Sequence, residues 1–331
     1  MLLQFVQCVV VDRVATVDIP PSLTGVSNSK LTLHVGDVAG VDAAVAAFLA
    51  AAQPRTLKLL DPKPGWAAAA LRASPETQLI GRVWTPTQPT DGDPRAAAAA
   101  WLNATRPFFS ASPEIQLWEG YNELPGTASN RSLMQWYSEF EQARVQLLAG
   151  VGLRAVVGAF ATSDLEDLDP ATSTFALFAP AARAAAAAGG FLSLHEYSSP
   201  LMTTCFDVAK GVGRETGRYR TVYENFFADS PPPLFLSEVG VGWSAPSCGG
   251  TGVVAGWRAY CANWTAPDGP FPGLSCEAAF VEQLAWYDRL ILSDDYVVGA
   301  SIFCQECQTF DSFDTGPALG AIAAYMEAAA G

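Results

Sequence analysis

Residues 30–61 read KLTLHVGDVAGVDAAVAAFLAAAQPRTLKLLD. A short apolar run, KLTLHVGD, is followed by the alanine-rich stretch VDAAVAAFLAAA and then by a second apolar run, TLKLLD. Short, nearly continuous apolar runs suit strands buried on both faces, the mark of parallel sheets. The alanine-rich segment between them suits a helix on propensity alone. A strand, a helix and a second strand are therefore expected here.

The alternation continues to the C-terminus. QLIGRVWTP from Gln78 is the third strand, followed by DPRAAAAAWLNAT, and EIQLWEG from Glu114 is the fourth. A long amphipathic helix follows, roughly over residues 130–149. LRAVVGAFA from Leu153, FLSLHEYS from Phe191, LFLSEVGVG from Leu234 and YVVGASIFC from Tyr296 complete eight strands. Eight strand–helix units predict an α/β protein of the (β/α)8 TIM-barrel class. A doubly wound sheet would usually carry a glycine-rich turn after its first strand. HVGDVAG lacks G-x-G-x-x-G, and GVGRETG at Gly211 has the wrong spacing and no strand before it, which argues against nucleotide binding. Residues 1–29 are expected to be an N-terminal extension packing on the barrel, and 30–331 a single catalytic domain. A Cys-rich loop at about 241–276 follows the seventh strand and should lie over the C-terminal mouth.

The chain has 331 residues, half of them hydrophobic, with 33 acidic and 19 basic side chains and a formal net charge of −14. That field disfavours nucleic acid and anionic membrane surfaces and fits neutral or cationic partners. No apolar run approaches the ~20 residues of a membrane span, so a soluble monomer is expected. Six of the seven cysteines (Cys205, Cys248, Cys261, Cys276, Cys304, Cys307) fall late in the chain, leaving Cys8 as the odd thiol. Cys304-Gln-Glu-Cys307 has zinc-pair spacing but no second C-x-x-C, so disulfides are expected instead. Three N-x-S/T sequons, at Asn103, Asn130 and Asn263, agree with an oxidising, extracellular setting and N-glycosylation. The opening MLLQFVQCVVVDR has an apolar run but lacks the basic n-region and the small-residue cleavage site of a signal peptide, and reads as the leftover or the disguised start of a mature chain.

In such a barrel the chemistry sits at the C-terminal strand ends. Those ends are polar here: His34, then Lys58 and Asp61, then Arg82 and Trp84, then Trp118, Glu119, Asn122 and Glu123. His195, Glu196 and Tyr197 end the sixth strand, Ser237 and Glu238 the seventh, and Phe303 followed by Gln305 and Glu306 the eighth. Glu123 and Glu238 make a carboxylate pair across the mouth, which glycoside hydrolysis requires: one acid to protonate the leaving oxygen, one carboxylate to attack or to activate water. Asn122 beside the acid is suited to hydrogen-bond a neighbouring sugar hydroxyl. Glu119 is expected to be a supporting residue, paired with Arg82 or Lys58, and Glu196 should point away from the mouth.

WEGYNE at the fourth strand, HEY at the sixth and SEVG at the seventh resemble the retaining glycoside hydrolases of clan A. The resemblance covers roughly residues 30–331. It implies Glu123 as acid/base, Glu238 as nucleophile, Asn122 as the 2-hydroxyl contact, Tyr197 as a donor to the nucleophile and His195 as a lining residue. It implies a double displacement without metal or cofactor. The chain departs from that pattern with Leu124 before Pro125, with Phe303 where tryptophan is frequent, and with Lys58 on the second strand where some families have arginine. Trp84, Tyr121, Trp243, Trp257 and Trp264 are candidates to stack on sugar faces, with Trp118, Arg82, Lys58 and His34 lining the site.

Two histidines and no G-x-S-x-G argue against a Ser-His-Asp hydrolase, and two histidines are too few for a metallohydrolase barrel. The substrate expected is a neutral or amino-sugar β-linked cell-wall glycan. The rival reading is a catalytically weak carbohydrate-binding barrel or cell-wall interaction protein.

Overall fold

The computed structural model describes residues 27–329 apart from 37, 39, 166, 251 and 308. The Cys8 thiol, the opening apolar run and nearly all of the expected extension over 1–29 lie outside the described residues. Ser27 donates to the Met326 carbonyl at 2.9 Å, so residues 27–29 pack beside the C-terminal helix.

Alternation of apolar and small residues produces the expected order: β1 (Leu31–Val35), α1 (Ala43–Ala52), β2 (Thr56–Leu60), α2 (Trp66–Ala73), β3 (Gln78–Arg82), α3 (Pro94–Ala111), β4 (Leu117–Glu119), α4 (Arg131–Ala149), β5 (Arg154–Phe160), α5 (Phe175–Ala187) and β6 (Phe191–Ser198). A two-stranded hairpin, β7 (Phe206–Asp207) and β8 (Val212–Gly213), stands apart from the barrel. Then follow α6 (Tyr219–Phe226), β9 (Leu234–Val241), α7 (Cys261–Trp264), α8 (Cys276–Leu292), β10 (Val297–Gln305) and α9 (Leu319–Ala328). The seventh and eighth barrel strands are thus β9 and β10. The barrel closes in the order β1-β10-β9-β6-β5-β4-β3-β2 with every pairing parallel.

Helix starts are set locally. Asp42 caps α1 by accepting from the Val45 N–H at 2.9 Å, and Asn130 caps α4 through Leu133. Asp93 precedes Pro94, whose missing N–H costs nothing at the first helical position.

Side-chain alternation divides each strand between two cores. Ile80, Leu117, Val156, Phe191 and Phe235 fill the lower barrel interior. Their sequence neighbours Leu79, Trp118, Leu192, Leu234 and Leu236 join the larger core between barrel and helices. Gly81 makes room for Trp118, since a Cβ there would sit 2.5 Å from the indole ring.

Candidate active site

Five strands, β1, β2, β3, β6 and β9, and the loop after β4 build the site. On β6, His195 and Tyr197 share the inward face with Phe191 and Ser193, while Glu196 faces outward. Glu196 accepts from the Tyr219 and Gly217 N–H groups and from the Tyr287 hydroxyl, so it anchors α6 and α8 against the barrel. Lys58 on β2 and His34 on β1 follow the same alternation. Glu123 lies beyond β4 in a left-handed backbone conformation (φ 48°), with its N–H bonded to the Ala159 carbonyl at 2.9 Å.

Glu238 reaches the mouth by a different route. Leu194 and His195 of β6 pair with Leu236 and Glu238, and Ala300 and Ile302 of β10 pair with Leu236 and Val239. β9 therefore carries an extra residue, a bulge, at Ser237–Glu238. Strict alternation would send one of two neighbouring side chains outward. The bulge lets both Ser237 and Glu238 face the interior.

The two carboxylates are brought together. One oxygen of Glu123, one of Glu238 and a ring nitrogen of His195 all lie within 4.8 Å of one another. His195 Nδ1 is 2.7 Å from Glu123 Oε1 and 3.5 Å from Glu238 Oε2. The Tyr197 hydroxyl donates to Glu238 Oε2 at 2.8 Å. The other oxygen, Oε1, lies 3.1 Å from Arg82 Nη1, 3.4 Å from Lys58 Nζ and 3.6 Å from His34 Nδ1. Burial pushes the Glu238 carboxyl up, but His195, Lys58, His34 and Arg82 outweigh it and hold it well below the usual carboxylate range. His34 is itself kept neutral by burial and by Lys58, so of the three groups at Oε1 it is Lys58 and Arg82 that bring positive charge. Burial, with Glu238 and Glu123 nearby, raises the Tyr197 phenol well above its ordinary value, so it stays a donor.

Beneath Glu238 runs a buried polar layer. Lys58 Nζ is 2.8 Å from Glu119 Oε2 and donates to the Ser237 carbonyl at 3.2 Å. Ser193 donates to Glu119 Oε1 at 3.0 Å, and its hydroxyl is 2.6 Å from that of Ser237. Glu119 thus pairs with Lys58. Ser193 could have been found from the sequence, two residues before His195 on one face. Ser237 could not, because its direction depends on the bulge.

The other candidates divide. Trp84 is 57% exposed and, with Arg82, Asn122, His34 and Asp61, lines a cavity of about 450 Å³ that also reaches both glutamates. Asn122 Oδ1 is buried and finds no protein partner among the described residues, a free acceptor in the cleft wall. Trp243 lines a neighbouring cavity with Glu123, Tyr197 and Phe303. Trp118 and Tyr121 do not line the site. Trp118 follows an inward residue on β4 and so turns outward, packing on Phe109. Tyr121 is buried against Phe140. Trp257 and Trp264 are also buried: Trp257 stacks on Phe280 of α8, and Trp264 donates to the Pro200 carbonyl at 2.9 Å and packs near Phe271 within the long loop. That loop is stapled by Cys205–Cys248 and Cys261–Cys276, and a third disulfide joins Cys304 and Cys307 at the mouth.

No protein-family model matches the chain, and no curated protein sequence matches it. Solved structures do. A family 39 glycoside hydrolase from Bacteroides cellulosilyticus aligns over 91% of this chain and 65% of its own, at 13% identity and a TM-score of 0.53. A β-glucuronidase from Ruminococcus gnavus aligns over 90% of this chain and 49% of its own, at 12% identity and a TM-score of 0.54. An FMN-binding β-glucuronidase from Faecalibacterium prausnitzii aligns over 91% and 46%, at 9% identity and a TM-score of 0.53. The fold is the same (β/α)8 barrel. The chain spans about half to two thirds of the length of these structures.

Proposed function

We propose that the chain is a retaining glycoside hydrolase, with Glu238 as nucleophile and Glu123 as acid/base. The observation that carries this is that an oxygen of Glu123 and an oxygen of Glu238 lie within 4.8 Å of each other, which suits a closely spaced pair. Retaining enzymes hold the pair ~5–5.5 Å apart, whereas inverting ones leave ~6.5–9.5 Å for a water. Their environments also differ. Glu238 is buried and held ionised by standing positive charge, as a nucleophile requires. Glu123 is 39% exposed at its side chain and borders the cleft where a leaving group would sit.

In the first step a Glu238 oxygen attacks the anomeric carbon while Glu123 gives its proton to the departing oxygen. In the second, Glu123 takes a proton from water, and the water releases the sugar from Glu238. Tyr197 steadies the nucleophile by its hydrogen bond and His195 orients Glu123. Asn122 Oδ1 is suited to accept from the 2-hydroxyl. One chain supplies both carboxylates, so a monomer suffices, with residues 30–331 as the catalytic domain. The net charge of −14 and Asp61 in the cleft favour a neutral or amino-sugar β-linked glycan over an acidic one. The exposed sequon residues Asn103, Asn130 and Asn263 and the three disulfides support an extracellular glycoprotein, testable by glycosidase-dependent mass shifts of secreted material.

The test is turnover of a panel of β-1,3-glucan, β-mannan, chitin and nitrophenyl β-glycosides, with the anomer of the first product read by NMR. Retained configuration is expected, and lost with Glu238→Gln. Inverted product would overturn the mechanism. Binding without turnover by the native chain would support the carbohydrate-binding reading instead.

A further inference from the structure

Three cavities lie in a row across the mouth. The largest, with Asn122 and Trp84, shares Glu123, Glu238, Phe303 and Phe310 with a middle cavity of about 260 Å³. The middle one shares Thr162, Ser163 and Trp243 with a third, of about 190 Å³, which touches neither glutamate. Arg214 and Arg218 line this third cavity, between the loop after β5 and the Cys205–Cys248 staple.

Arg218 is a built wall. Its guanidinium is buried and donates to the Thr162 carbonyl at 2.8 Å, to Ala161 at 2.7 Å and to His195 at 3.1 Å. Its Nε is buried and has no acceptor among the described residues. Arg214 is exposed, with one long contact from Nη1 to the Ser247 hydroxyl at 3.5 Å. Glu215, the acid in this wall, is spent on the Ser198 and Ser244 hydroxyls and the Ala245 N–H. Arg218 is thus spent on backbone carbonyls and holds the wall rigid, and the open donor is Arg214, beside the half-buried face of Trp243, which suits an acceptor-rich sugar ring.

The direction of a bound chain follows from Asn122 and Glu123. Asn122, suited to the reacting sugar, lines the largest cavity and not the middle one. The leaving sugar must lie on the other side of Glu123, toward Thr162, Ser163 and Trp243. We propose that the Arg214–Arg218 cavity is a subsite for the leaving part of a β-linked oligosaccharide, so that the cleft takes sugars on both sides of the scissile bond and cuts internal linkages. This rests on the hydrolase reading.

The probes are cello-, laminari-, manno- and chitohexaose, each reduced at its end with borohydride, and nitrophenyl β-glycosides, whose leaving group is too small to reach Arg214. Arg214→Ala should lower kcat/KM on the cleaved hexaose about tenfold, leave the nitrophenyl glycoside unchanged, and shift the position of internal cleavage. Calorimetry in the Glu238→Gln background should show hexaose binding weakened about tenfold by Arg214→Ala. Release of single sugars from one end only, or hexaose binding and cleavage indifferent to Arg214→Ala, would overturn the subsite while leaving the hydrolase reading intact. Absence of turnover on every probe would sink the hydrolase reading, and the calorimetry would still decide the subsite.

Discussion

The two ends of the barrel interior are built from the same strands and do opposite work. At the bottom, Leu117, Ile80, Val156, Phe191 and Phe235 pack as a dry layer. Two residues further along the same strands stand Glu119, Arg82, Ser193 and Ser237, and Lys58 joins them from β2. The lower layer draws its stability from burial, about 1.5–3 kcal/mol for each large apolar side chain. The upper layer buries charge, which is costly unless every partner is present. Under the proposed mechanism it provides a nucleophile fixed in place and held ionised before substrate arrives. Stability and chemistry are thus separated by a rise of two residues.

Substitutions at either level test that separation. The largest effect is expected for Glu238→Ala: kcat should fall more than about 10⁴-fold, since no covalent intermediate can form, and the thermal midpoint should fall as well, since Lys58 and Arg82 lose a buried partner. Lys58→Met leaves Glu119 buried and unpaired, and should cost about 3–5 kcal/mol by denaturant titration as well as activity. Adding Glu119→Leu should recover most of that stability but not the turnover. Full recovery of turnover would show that Lys58 serves the fold alone. Leu117→Ala should cost about 2–5 kcal/mol and leave kcat of the folded enzyme unchanged. A smaller effect is expected from Arg82→Met. With one cation lost, the Glu238 carboxyl rises toward its ordinary value, and the acid limb of kcat/KM moves up by about 1–2 pH units. The sign for stability follows. The depressed Glu238 stabilises the fold above its unfolded value, ~4.3, and that contribution fades as pH falls below it. Arg82→Met should flatten this acid-side loss.

Much of this was legible in the residues. The eight apolar runs marked the barrel strands, because strands buried on both faces need little else. The mouth polar groups were legible wherever alternation is regular: His195 and Tyr197 inward, Glu196 outward, Glu119 beneath the site. Reading failed for Trp118 and Tyr121. Both neighbour site residues in sequence, yet Trp118 takes the outward face and Tyr121 packs on α4. Trp257 and Trp264 are buried, as ordinary loop packing, the favoured reading for them, requires. The hairpin β7–β8 gave no signal, being two residues per strand.

The sequence by itself determined the parallel eight-strand frame, the placing of the polar groups at its C-terminal ends and the pairing of Asn122 with Glu123, since these depend on local period and chain order. Only the tertiary structure decided that Glu238 and Ser237 both face inward, that Lys58 and Arg82 converge on one oxygen of Glu238, and that Glu123 swings back over His195. A bulge's register is set by both neighbouring strands at once, and charges from β2, β3 and β9 meet only when the barrel closes.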